Sequence, residues 1–284
     1  MLPLVNENGF PCIRVLDFHG SMNSHSLVLD TNSNSYFPEA SRLEPELIIM
    51  TWNESMVEVP LIGPDQLPVS FTLDGVAYGD RPTVAANKMT SFSNSFGSFM
   101  LVPSVDVVPS FFTLVFDPTA YQYCMTGNPI YVTTSEYTRD IRTRLQVVSN
   151  EGNILANVTD FFEIASGSDT DWVPDEVFEA IIQSITSMGA MVTNETYIIS
   201  NCTDVASFSL VTFSFADHHG EFDARIELHM FPEDYIERIT GDTCELKVRP
   251  SQENRILGLN LLRNIAVHFD DVSNRVGFCD PIPI

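Results

Sequence analysis

Short runs of alternating apolar and polar residues, broken by turn residues, recur along almost the whole chain, and they constrain its fold more than any other feature. A period of two puts every second side chain on one face of a strand, and Gly, Asn or Asp between two such runs reverses the chain. Ser70 to Tyr78, with Asp74-Gly75 at its middle, predicts a hairpin. A second is predicted for Thr143 to Val158 around Asn150-Glu151-Gly152-Asn153, and a third for Phe208 to Phe231 with its tip at Asp217-His218-His219-Gly220. With 284 residues the chain can bury the core of one large β domain or of two lobes.

Helical spacing stands out in two places. Val177, Phe178, Ile181, Ile182, Ile185 and Met188 share one helical face, Asp175 and Glu176 fall in the first turn, and Gly189 stops the helix. A second, shorter helix is predicted near Leu259 to Ile265. There is no low-complexity linker and no short repeat. The fold class expected is all-β with a few short helices.

Charge narrows the partners. The chain holds 38 acids against 14 bases, a net charge of −24. Residues up to 118 carry 13 acids and 4 bases (−9), and the remainder 25 and 10 (−15), so the excess is spread throughout. Such a surface repels nucleic acid and anionic membrane, and neither is expected as a partner. No segment approaches the roughly 20 apolar residues that span a bilayer. The opening residues "MLPLVNENGF" lack a basic region and a long apolar run, so they do not read as a signal peptide. The adjacent His218 and His219 have no further ligands in view, and neither a metal nor a cofactor is expected.

Five cysteines, Cys12, Cys124, Cys202, Cys244 and Cys279, form no Cys-x-x-Cys pair, which argues against zinc and thioredoxin-like chemistry. From spacing alone their pairing stays open. Asn53, Asn157, Asn194 and Asn201 head Asn-x-Ser/Thr sequons, making them candidate N-glycosylation sites, although chance supplies nearly as many in a chain this rich in Asn, Ser and Thr.

Two loops bear on chemistry. The apolar run Leu27 to Leu29 leads into Asp30-Thr31-Asn32-Ser33, and Phe161 to Ile164 leads into Ala165-Ser166-Gly167-Ser168. The Asp-Thr pair by itself says little, since it recurs at Asp169-Thr170 and Asp242-Thr243. The closing segment is more specific: Ile256-Leu257-Gly258, a short helix at Leu261 to Ile265, a strand Val267 to Asp270, a polar turn Asp271 to Asn274 and a strand Arg275 to Phe278.

That closing string resembles the end of pepsin-like aspartic peptidases. In that family the second catalytic loop reads Asp-Ser/Thr-Gly-Ser/Thr, with a proline nine residues past the aspartate and then a helix. Pro174 lies nine past Ala165, so the resemblance puts Ala165 at the position of the second catalytic aspartate. Starting the loop at Asp169 instead puts Asp171 where glycine belongs and the proline only five residues on. Asp30 matches the first catalytic aspartate, with Asn32 in place of glycine and Pro38 one residue early. Asn is among the few residues that tolerate the positive φ which the loop glycine is expected to supply. Glu46 to Leu61 sits where the flap hairpin belongs, without its tyrosine or glycines; Trp52, beside Thr51, is the nearest aromatic. The match covers most of residues 120 to 284, extends loosely over 10 to 60, and rests on order alone from 61 to 118.

The resemblance implies a bilobal fold, with an N-terminal β lobe over 1–118 and a C-terminal β lobe over 119–284. It implies a cleft taking a peptide or protein, lined by Thr31, Ser33, Thr51, Trp52, Ser166, Gly167 and Ser168. It selects the disulfides Cys202–Cys244 and Cys124–Cys279, leaving Cys12 as a thiol. Two bridges imply a secreted or lumenal setting, with the targeting segment absent from this chain. With Ala165 in the dyad the expected function is a catalytically degenerate homologue that binds without cleaving. The alternatives are a divergent active endopeptidase, with Glu163 standing in for the missing acid, and a structural scaffold or coat protein. Oligomeric state is left open by the sequence.

Overall fold

The computed structural model describes residues 2–7, 10–16, 24–31, 56–59, 69–72, 75–78, 81–85, 97–103, 112–115, 120–125, 127–134, 138–193, 197–216, 222–253 and 255–282. The described residues are mostly strand, with a few short helices, as the alternation requires. The chain divides into two compact units, one of residues 1–139, 164–168 and 262–284, the other of 140–163 and 169–261.

The first unit is organised around a six-stranded antiparallel sheet in the order Leu2–Pro3, Phe112–Val115, Ser98–Pro103, Ala266–Asp270, Arg275–Cys279, Ile130–Thr133. The two C-terminal strands lie inside it, flanked by Ser98–Pro103 and Ile130–Thr133, which ties the last 23 residues (262–284) to the N-terminal unit. Phe269 and Phe99 are register partners, and their rings stack at 4.9 Å. Met100, Val102, Val115, Cys124, Ala266 and Cys279 form a buried cluster, pinned by the Cys124–Cys279 disulfide with its Cα atoms 5.5 Å apart. A five-stranded sheet, in the order Val5–Glu7, Phe10–Leu16, Ser24–Asp30, Arg81–Ala85, Gly75–Tyr78, carries the first loop; Ser24–Asp30 runs parallel to Arg81–Ala85.

The hairpin predicted for Ser70 to Tyr78 does not form. Val69–Thr72 pairs with Met56–Val59 in a two-stranded sheet, while Gly75–Tyr78 pairs with Arg81–Ala85. Both strands exist, but each finds its partner on its outer side.

In the second unit, Ile141–Val148 pairs with Ile154–Ile164 across the Asn150 to Asn153 turn, with Gly152 at φ +81°. Leu210–Ala216 pairs with Phe222–Met230, the third expected hairpin; its tip lies outside the described residues. These strands belong to a seven-stranded sheet. Ile141, Thr143, Leu145 and Val147 face inward in strict alternation. The helix Asp175–Ser187 buries Val177, Ala180, Ile181, Ser184 and Ile185, and Gly189 follows it at φ +86°. Met188, expected on that face, is 54% exposed because the helix has ended by then. The short helix near the C-terminus covers Leu259–Leu262. A four-stranded sheet holds the Cys202–Cys244 disulfide, Cα atoms 6.1 Å apart. No helix among the described residues is long and apolar enough to cross a membrane.

Candidate functional site

Two loop entries meet within the first unit. Strand Ser24–Asp30 delivers buried Leu29, then Asp30, then Thr31, which is 1% exposed. Strand Ile154–Ile164 delivers Ile164, then Ala165 and Ser166, which is fully buried. A buried hydroxyl must find both a donor and an acceptor role, and here each finds them in the other loop. Thr31 Oγ1 donates to the Ile164 carbonyl (2.8 Å) and accepts from the Ser166 amide (3.1 Å). Ser166 Oγ donates to the Leu29 carbonyl (2.5 Å) and accepts from the Thr31 amide (3.2 Å).

The pattern is its own mirror. Each hydroxyl binds the carbonyl two residues before the other hydroxyl and the amide of the other hydroxyl's own residue. Exchanging Leu29-Asp30-Thr31 for Ile164-Ala165-Ser166 leaves the set of bonds unchanged. Positions 30 and 165 are therefore equivalent in backbone terms. Position 165 carries a methyl group, 3% exposed.

Sequence reasoning missed a third component. Arg139, 4% exposed, donates from Nη1 to the Thr31 carbonyl (2.9 Å). Its other donors grip Asp271 in a fork, Nε to Oδ1 at 3.0 Å and Nη2 to Oδ2 at 2.6 Å. The guanidinium lies 4.5 Å from the Phe269 ring centroid and 5.2 Å from that of Phe99. A buried cation costs several kcal/mol unless paired and fully bonded, and the fork, the carbonyl and the rings meet that demand. No sequence pattern marked it: its partners lie 108 and 132 residues away.

Gly167 follows Ser166 half-buried, and Ser168 closes a turn back to the Ala165 carbonyl at 3.3 Å. Gly167 is not among the positive-φ glycines, so a left-handed backbone is not what glycine supplies at that position. Glu163 is half-buried, with its amide bonded to the Arg255 carbonyl in the second unit. Ser33, Asn32, Thr51, Trp52, Asn53 and Asn194 lie outside the described residues, as do the side chains of Asp30 and Cys12. Asn157 and Asn201 are both exposed, the first in mid-strand and the second at a turn with φ +62°.

Other buried polar groups are structural. Asp171, fully buried, accepts from the Gly258 amide (2.6 Å) and Asn260 Nδ2 (2.9 Å), fixing the Ile256-Leu257-Gly258 turn. His268 Nδ1 is 2.8 Å from the Tyr131 hydroxyl, its Nε2 is buried without a hydrogen-bond partner, and burial holds its pKa below the usual imidazole value. Burial pushes Asp270 up, but Arg275 Nε (2.7 Å) and the Ser273 hydrogen bonds outweigh it and hold the carboxyl below its ordinary range.

Residues 115–280 match the family described as eukaryotic aspartyl protease. Compared with curated proteins, the chain has no match.

Proposed function

The chain belongs to the eukaryotic aspartyl protease family, and on that premise we propose that it is a proteolytically inactive member which binds a peptide or protein without cleaving it. The supporting observation is the reciprocal bonding of Thr31 and Ser166, which makes positions 30 and 165 equivalents, with aspartate at one and alanine at the other. Aspartic peptidase chemistry uses two carboxylates about 3 Å apart that share one proton. One draws a proton from water while the other donates to the substrate carbonyl. Ala165 supplies neither function. Glu163, two residues upstream, would have to turn back several ångströms to replace it, and a general base tolerates little displacement.

In this reading the chain forms an N-terminal lobe over 1–118 and a C-terminal lobe over 119–284, each giving one loop to the Asp30–Ala165 pair. The protein works in a secreted or lumenal compartment, where its two disulfides persist. Exposed Asn157 and Asn201 are then glycan acceptors.

A divergent active peptidase is the second reading, favoured by Asp30 and by the intact hydrogen bonding around it. A statine-type transition-state mimic separates the two. A working dyad holds the statine hydroxyl and binds the mimic at least about a hundredfold tighter than the matching peptide. The pseudoenzyme holds both equally, and a large statine preference overturns it.

A further inference from the structure

A groove of about 570 Å³ runs beside the helix Asp175–Ser187. Its helix wall is Asp175, Phe178, Glu179, Ile182, Gln183 and Thr186, a stripe next to the one that Val177, Ile181 and Ile185 bury in the core. Tyr197 and Pro250 form the opposite side. The stripe spans eleven helical steps, roughly 16 Å at 1.5 Å per residue. An extended peptide covers that length in about five residues at 3.3 Å each. All eight residues belong to the second unit, and the Asp30 and Ala165 loops to the first.

The chemistry is graded along the groove. Phe178 and Tyr197 meet edge to face, centroids 5.8 Å apart and planes at 85°, and with Ile182 and Pro250 they make an apolar floor. At one end stand the carboxylates of Asp175 and Glu179, one turn apart, and at the other the neutral Gln183 and Thr186. Asp175 accepts from the Gln252 side-chain amide at 3.0 Å, a neutral partner. Among the described residues, no cation lies within ion-pair distance of either carboxylate. The helix N-terminus supplies about half a positive charge, against two full negative ones, so the end stays anionic. Arg249, which stacks over Tyr197 at 4.1 Å, is committed to Glu245 at 3.1 Å.

We propose that this groove docks an extended segment of a partner protein, about five residues long, in which apolar residues adjoin a lysine or arginine. The apolar side chains lie on Phe178, Ile182, Tyr197 and Pro250, and the cation lies between Asp175 and Glu179. The chain's −24 net charge steers such a segment toward it.

The test is titration of the full chain, labelled with ¹⁵N, with two blocked peptides, Lys-Leu-Phe-Leu and Glu-Leu-Phe-Leu. At low salt the lysine peptide shifts the resonances of residues 178–186 and Tyr197, and it binds about fivefold tighter than the glutamate peptide, the preference expected of exposed ion pairs. The double variant Asp175→Asn and Glu179→Gln abolishes that preference, while the amide spectrum elsewhere stays unchanged. Phe178→Ser weakens both peptides, since it removes part of the floor. Equal binding of the two peptides, shifts centred outside the groove, a preference that survives the double variant, or no shift at millimolar peptide each overturns the proposal.

Discussion

Thr31 and Ser166, 135 residues apart in sequence, hold each other through both amides and both hydroxyls, each hydroxyl donating once and accepting once across the pair. The pair fixes two strand ends side by side. Removing one hydroxyl orphans groups that water cannot reach. Ser166→Ala leaves the Leu29 carbonyl and the Thr31 amide without these partners, at about 1–3 kcal/mol for each buried group. We expect a loss of about 2–4 kcal/mol, read from the denaturant midpoint, and a similar loss for Thr31→Val. A change within about 0.5 kcal/mol would show that the bonds are absent in solution.

The buried pair Arg139–Asp271 makes a different prediction, because breaking it removes one half of a forked, buried ion pair. Asp271→Asn takes away the carboxylate that the fork grips and should cost about 3–5 kcal/mol. The double variant Arg139→Met, Asp271→Leu removes both charges and should recover part of that loss, since apolar replacement of a buried pair is often neutral. Denaturation of the two variants side by side reads the difference. Equal losses contradict the account.

Non-reducing peptide mapping should recover Cys202 joined to Cys244 and Cys124 joined to Cys279. Cys202→Ser with Cys244→Ser opens a bridge spanning 42 positions and should cost roughly 3–4 kcal/mol on the chain-entropy account. A disulfide peptide containing Cys12 would refute the pairing.

His268 predicts an acid-sensitive first unit. It lies between Tyr131 and the charges of Asp270, Asp271 and Arg275, and burial, the largest influence, lowers its pKa below 6.5. A base whose folded pKa is depressed binds fewer protons when folded than when unfolded, so stability rises with pH in that window. The contribution is fully present above the unfolded value of 6.5 and is lost as pH falls below it. His268→Gln removes the titration, and its stability between about pH 6.5 and 5 should fall less steeply than that of the unmodified chain. Parallel slopes would show that His268 takes no part.

Local pattern made much of this fold readable. The Asn150 to Asn153 hairpin and the helix Asp175–Ser187 needed only alternation, a turn and helical spacing. Ser70 to Tyr78 failed because alternation marks strands without choosing partners, and Val69–Thr72 and Gly75–Tyr78 belong to different sheets. The assignment of Ala165 to a catalytic position comes from the spacing to Pro174, a family pattern and not a physical one. Arg139 was hidden altogether, since a cation buried against Phe99 and Phe269 looks like any surface arginine until both rings and Asp271 converge on it.

The central claim is that position 165 lacks the acid that peptide hydrolysis needs, and turnover of a denatured protein substrate between about pH 2 and 7 tests it most directly. Catalytic partners act as a unit, so loss of one removes most of the rate enhancement. The unmodified chain should show no cleavage, and none should appear in Asp30→Asn. Ala165→Asp together with Asn32→Gly restores the second carboxylate and the first-loop glycine, and this is the variant in which cleavage should emerge. Turnover by the unmodified chain that vanishes in Asp30→Asn would contradict the account and make Glu163 the acid to examine first.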